Sequence, residues 1–254
     1  MPFDLVFFAA MVPAVMLTGL AKGGFSGIGL LSLPLMALVV SPVTAAAIML
    51  PLLIAQDVVS VWSYRHEVDY RNLATLTPGA LLGILVGYLL AAKVSDAAVV
   101  LAVGLISIGF ALRRMLGEGR KPLAATRPAW GAGSLWGFLS GFTSMVAHAG
   151  GPPFQIYVMP QKLPPGLFVG TGAVFFAALN WVKLLPYLAL GQFSRQNLTA
   201  SAALLPVAIV ATFAGVWLIR RVPAERFYGI IYWLLLGVGA KLVWDGVRDL
   251  HLLG

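Results

Sequence analysis

Apolar residues run through this chain in long blocks, and polar residues gather between them. The blocks fall at 3–21, 25–40, 42–64, 72–92 and 96–115, then at 129–147, 153–163, 164–190, 197–219 and 224–247. A helix rises about 1.5 Å per residue, so crossing a bilayer core takes roughly 20 residues. Most blocks reach that length; 25–40 and especially 153–163 do not. Each short block follows a glycine pair, Gly23-Gly24 or Gly150-Gly151. Lipid cannot satisfy a broken backbone, so each break must sit inside protein or line a cavity.

The two series of blocks match each other. Lys93-Val94 aligns with Arg221-Val222 at a spacing of 128, which also brings Pro78 to Pro206, Gly87 to Gly215, Gly109 to Gly237 and Arg113 to Lys241. Gly23-Gly24 meets Gly150-Gly151 at 127, and Asp57 and Tyr64 meet Asn180 and Tyr187 at 123. An ordered series with small indels predicts an internal duplication. Lysine and arginine counts orient the copies. If each glycine-broken pair dips in and returns, three full spans remain per half and the repeats are inverted. The inside set is then Arg65, Arg71, Arg113, Arg114, Arg120, Lys121, Arg127, Lys162, Arg220, Arg221 and Arg226, eleven residues against Lys93, Arg195 and Arg248 outside. If each pair crosses once, the split falls to nine against five. The positive-inside rule favours the inverted arrangement.

Composition agrees. Sixty percent of residues are apolar, ten percent are charged and mean hydropathy is +0.92; soluble domains carry about 25% charged residues. The net charge of +8 sits mainly between apolar blocks, which points to membrane orientation and not to nucleic acid. The absence of cysteine removes thiolate metal sites, iron–sulfur clusters and thiol nucleophiles. His66, His148 and His251 show no metal-ligand spacing. The start, Met1-Pro2-Phe3-Asp4, has no basic n-region, so the first block reads as a retained membrane segment. Trp62, Trp130, Trp217 and Trp244 fall near block ends, as an aromatic belt requires. No Walker loop, HExxH motif, paired intramembrane acids or Ser/His/Asp set is present. The expectation is therefore no enzyme and no cofactor.

Candidate chemistry collects at the breaks. The first motif is Gly19-Leu20-Ala21-Lys22-Gly23-Gly24-Phe25-Ser26-Gly27, and the second is Ser144-Met145-Val146-Ala147-His148-Ala149-Gly150-Gly151-Pro152-Pro153. Proline suits the first turn of a helix, so Gly-Gly-Pro-Pro reads as one half-helix ending and another beginning. A helix N-terminus attracts anions through its N–H groups and dipole. Inverted repeats would aim two such ends at the midplane. The competing reading is that the glycines only permit tight helix packing. Lys22 is a point charge for an anion, or snorkels to an interface. His148 is a donor, a proton carrier or a structural histidine. Asp57 is the one acid well inside a long block; it relays protons, pairs with a lysine or clamps helices. Its repeat mate Asn180 shares a helix face with Lys183, three residues on, and Gln56 is adjacent. Ser144, Gln155 and Thr171 are neutral donors near the breaks. The substrate-binding set is thus Lys22, Gly23, Gly24, Ser26, Ser144, His148, Gly150, Gly151, Gln155, Asn180 and Lys183, with Asp57 and His148 as proton-coupling candidates.

At these residues the chain resembles the sulfite exporter TauE/SafE family. The resemblance rests on the Gly-Gly motif of each half, His148-Ala149-Gly150-Gly151-Pro152-Pro153-Phe154-Gln155-Ile156-Tyr157, Pro160-Gln161-Lys162-Leu163-Pro164, and Lys183-Leu184-Leu185-Pro186-Tyr187-Leu188-Ala189-Leu190-Gly191-Gln192-Phe193. It covers nearly the whole chain and implies a multi-pass permease for sulfite, sulfonates or related sulfur-containing organic anions. The first half departs from the pattern in reading Ala21-Lys22-Gly23-Gly24-Phe25, where many members carry a longer glycine run.

The expected architecture is an all-α membrane protein of two inverted repeats, each a glycine-broken re-entrant helix pair plus three transmembrane helices. The repeats occupy 1–116 and 129–254, joined by a basic cytoplasmic linker at 117–128. The expected function is a secondary transporter, an exporter, of a small sulfur-containing anion by alternating access, with the anion at two opposed half-helix N-termini. An anion channel and a proton-coupled uptake permease for organic anions are the alternatives. The expected partners are the anion and the bilayer, with a homo-oligomer permitted, and the expected location is a cell inner membrane.

Overall fold

The computed structural model describes residues 5–25, 27–37, 39–90, 95–117, 126–219, 221 and 224–250, and most of these are helical. Ser26, residues 1–4, Lys93-Val94, residues 118–125 of the basic linker, Arg220, Val222 and His251 lie outside that set. Among the described residues there are ten α-helices and two 3-10 turns, and no strand. The first series comprises α1 (Leu5–Gly23), a 3-10 turn (Ile28–Leu31), α2 (Ser32–Ala37), α3 (Pro42–Tyr64), α4 (Tyr70–Leu90) and α5 (Asp96–Gly117). The second comprises α6 (Trp130–Ala147), α7 (Gly151–Val158), a 3-10 turn (Met159–Gln161), α8 (Pro165–Ala189), α9 (Arg195–Ile219) and α10 (Ala224–Asp249). Among the described residues, five helices are long and apolar enough to cross a membrane: α1, α3 from Val43, α4, α8 and α9.

Local sequence explains where the helices start and stop. Ser41 caps α3, its Oγ accepting the Thr44 N–H at 3.3 Å, and Pro42 occupies the first turn. Asp69 caps α4 by accepting the Arg71 and Asn72 N–H groups at 2.9 and 3.1 Å. Ser194 does the same for Asn197 at the head of α9. Block 25–40 resolves into a 3-10 turn and a six-residue helix, because Gly24 and Gly27 take φ of 140° and 105° and deny the segment a continuous helix. Block 153–163 likewise becomes the eight-residue α7 and a 3-10 turn. Neither short helix exceeds roughly 12 Å, well under a bilayer core. Each packs back on the long helix before it, α2 on α1 and α7 on α6.

The chain folds as two compact units, and each draws helices from both series. Residues 1–68 and 169–223 form one, with α1, α2, α3, α9 and nearly all of α8; residues 69–168 and 224–254 form the other, with α4, α5, α6, α7 and α10. In the first unit Phe7, Met11 and Val15 of α1 pack with Met36 of α2, Ile48 and Leu52 of α3, and Leu204 of α9 in one apolar core. α1 lies so close to α9 that a Cβ on Gly23 would stand 2.5 Å from the Gly215 backbone, and one on Gly19 would meet Ala211 equally closely. In the second unit α4 and α6 approach through facing stripes at four-residue spacing, Gly79, Gly83 and Gly87 against Gly133, Gly137 and Gly141. A Cβ at Gly83 would collide with the Phe138 carbonyl. Such small-residue stripes let backbones meet where lipid supplies no hydrophobic drive. The two contacts share a register: Ala211 and Gly215 stand 128 residues after Gly83 and Gly87, so α9 meets α1 with the positions α4 uses to meet α6.

Candidate functional site

α3 crosses the first unit with a polar stripe on an otherwise apolar helix. Gln56, Ser60 and Tyr64 recur every four residues, and Asp57 adjoins them. All four are buried. Together they grip the C-terminal turns of α1. Gln56 donates to Val15 O and Thr18 Oγ1, Ser60 Oγ to Lys22 O at 2.8 Å, and the Tyr64 hydroxyl to Gly23 O at 2.7 Å. Those last carbonyls have no partner within a helix end, so side-chain donors satisfy them here.

Lys22 does not reach for an interface. Its Nζ pairs with Asp57 Oδ1 and lies 5.5 Å from the Phe176 ring centroid. The other carboxylate oxygen of Asp57 accepts from Asn180 Nδ2 of α8 at 2.6 Å. Asp57 and Asn180 are repeat mates, and side chains at equivalent positions touch one another only near a symmetry axis relating their elements. Two aspartates there would repel, and two asparagines would carry no charge for Lys22. The Asp/Asn asymmetry yields one carboxylate for the lysine and one amide donor for its second oxygen. Lys183 lies one turn after Asn180 on α8 and is 0% exposed, within electrostatic range of both Lys22 and Asp57. With both ammonium groups protonated, Lys22, Lys183 and Asp57 sum to one net positive charge in a largely water-free interior. Lys22, Asp57, Asn180 and Lys183 therefore form one cluster. Gly23 and Gly24 border it on the α1 side, and the proposed site residue Ser26 is outside the described set.

The second break is built differently. α6 ends in a left-handed residue, His148 at φ 51°, with His148 N–H donating to Ser144 O and Ala149 N–H to Thr143 O. This is a left-handed helix closure, a position glycine ordinarily takes. A histidine there is held against its backbone preference, as residues at functional sites often are. Ser140 Oγ donates to Gly150 O at 2.7 Å and fixes the turn. The first turn of α7 is poor in donors: Pro152 and Pro153 have no N–H, and Phe154 N–H donates to Gly150 O. Gly151 keeps the remaining amide donor. A Cβ at Gly151 would meet only Gln155 Nε2, at 3.8 Å, so the space around it is open. Gln155 is buried, and neither end of its amide has a partner. The structure thus groups Ser144, His148, Gly150, Gly151 and Gln155 in the second unit, and the Lys22 cluster in the first. Sequence patterning missed Ser60, Tyr64, Phe176 and Ser140, which have ordinary residue types. The four-residue spacing of Gln56, Ser60 and Tyr64 was the signal available for two of them.

Among the described residues no group of three or more His, Cys, Asp or Glu could hold a metal ion. The family model described as sulfite exporter TauE/SafE matches residues 11–242. The chain is 27% identical over 231 residues to the probable sulfite/organosulfonate exporter TauE of Cupriavidus necator, an alignment covering 88% of this chain and 84% of that protein. No solved structure matches the chain significantly.

Proposed function

The chain belongs to the sulfite exporter TauE/SafE family, and from that premise we propose that it is a secondary transporter exporting a small sulfur-containing anion, sulfite or an organosulfonate, across a cell inner membrane. The observation that carries the site is the charge balance of the first unit. Lys22 pairs with Asp57, whose second oxygen accepts from Asn180, and Lys183 is buried within electrostatic range of both charges. A monoanion completes neutrality; a neutral or cationic solute would not. Intramembrane charges are expensive and persist where they meet substrate or one another.

The anion enters this reading as a ligand of Lys22, Lys183 and Asn180 in the first unit, while the Gly151 N–H, His148 and Gln155 are a separate set of candidate ligands in the second. The glycine breaks let the backbone approach it. The helix dipole of α7 contributes its field, but with two prolines in its first turn the side chains carry most of the hydrogen bonding. The two series act as inverted repeats exchanging access between the membrane faces, in keeping with the Lys/Arg split and the contact between Asp57 and Asn180. Export needs no coupled cation, because an inside-negative potential favours outward movement of an anion by about 2.3 kcal/mol per charge per 100 mV.

Counterflow in proteoliposomes tests this. Vesicles loaded with unlabelled sulfite should accumulate labelled sulfite transiently and saturably, and Lys183→Met should remove at least about nine-tenths of the rate. Conductance that never saturates and shows no counterflow would make the protein a channel. Unchanged counterflow in Lys183→Met would remove the lysine cluster from the site.

A further inference from the structure

One buried polar side chain of the second short segment makes no hydrogen bond within the protein. Gln155 in α7 is 1% exposed, and both its Nε2 and its Oε1 lack a hydrogen-bond partner. Other hydroxyls of the second unit are committed: Ser140 to Gly150 O, Thr143 to Leu139 O, and that of Tyr157 to Thr75 and Ala129. The contrast with Gln161, two turns along, is direct. That amide is also buried, and it makes a reciprocal pair with Asn72 at 2.9 Å in each direction. A buried amide is ordinarily satisfied in this way. Gln155 faces open space at Gly151 instead.

We propose that Gln155 contacts the transported anion directly and selects an oxyanion that also carries an O–H or N–H donor. This rests on the transport reading above and narrows its substrate class. Gln155 Nε2 donates to an anionic oxygen. Gln155 Oε1 can only accept, so an unprotonated, unsubstituted oxyanion leaves it unsatisfied. Hydrogensulfite, or a sulfonate bearing a hydroxyl or amine, satisfies both ends. A site built around a hydrogen bond discriminates against the analogue that lacks the partner, because the protein group is then left buried and bare.

The test uses the full chain in lipid nanodiscs, with ethanesulfonate, 2-hydroxyethanesulfonate and hydrogensulfite as titrants. The wild-type protein should bind the hydroxylated sulfonate about tenfold more tightly than ethanesulfonate, the range of one net hydrogen bond. In Gln155→Met that preference should fall to within about twofold, and hydrogensulfite should lose about tenfold. Gln155→Met should not lower the unliganded melting temperature, since its side chain makes no bond to lose. A drop in that temperature would assign the residue a structural role and overturn the proposal. So would wild-type affinity and preference in the variant, or a wild-type protein that binds sulfonates without regard to the hydroxyl. Failure of the wild-type protein to bind any of the three would overturn the transport reading as well.

Discussion

Asp57 sets the character of the first unit because it is the one buried acid among the described residues, standing against two lysines. Removing one member of a buried ion pair costs more than the pair contributes, since the survivor stays desolvated and unpaired. Asp57→Asn should therefore destabilise the protein by about 3–5 kcal/mol, with Lys22 and Lys183 left to repel each other. Lys22→Met with Asp57→Asn should recover most of that loss, and a double-mutant cycle read by unfolding in detergent should show coupling of at least about 1 kcal/mol. Equal stability of Asp57→Asn and the wild type would mean that the pair holds nothing together. The importance of Asp57 was legible in the sequence, because an acid inside a long apolar block is rare and has few explanations. Its partner was not. Lys22 is 35 residues away, and nothing local distinguishes a lysine that snorkels from one that turns inward.

The glycines divide by what their missing side chains allow. At Gly23 the absence is filled by the Gly215 backbone, so the glycine serves the contact between α1 and α9. At Gly151 it is filled by nothing except the approach of Gln155 Nε2. The two alternatives raised by the sequence, tight packing and access to a ligand, thus apply to different glycines of the same motif. Gly23→Leu should fail to yield a monodisperse protein, because neither backbone can move away without separating the helices. Gly151→Leu should express and melt within a few degrees of wild type, yet lose at least about nine-tenths of sulfite counterflow, as its side chain fills the open space. Size-exclusion profiles and proteoliposome rates decide both; a well-transporting Gly151→Leu would move the substrate elsewhere. Helix ends were legible wherever a cap, a proline or a glycine carried the signal in its own chemistry, as at Ser41, Pro42 and Gly24. At α7 the same residues do two things: Pro152 and Pro153 announce a helix start and at the same time remove two of its donors.

At the scale of the whole molecule, the repeat was legible and the packing was not. Spacings of 123 to 128 residues mark equivalent positions, but they do not reveal that each compact unit takes helices from both series. That exchange ties the two halves of the sequence together, since α1 needs α9 and α4 needs α6 to bury their small-residue faces. It leaves open which membrane face each loop meets, and the positive-inside count makes a definite claim about that. In the inverted arrangement the loop at 162–164 is cytoplasmic and the loop before α9 is outside; if each broken pair crosses once, both assignments reverse. The chain has no cysteine, so single substitutions can be read without background. Pro164 and Gln196 are both exposed and neither makes a described side-chain bond. In intact cells a membrane-impermeant maleimide should label Gln196→Cys and spare Pro164→Cys, with both reacting after lysis. The opposite pattern would mean that each glycine-broken pair spans the membrane once. Repeats that each cross an even number of times would then run parallel, and alternating access could no longer arise from exchanging inverted halves.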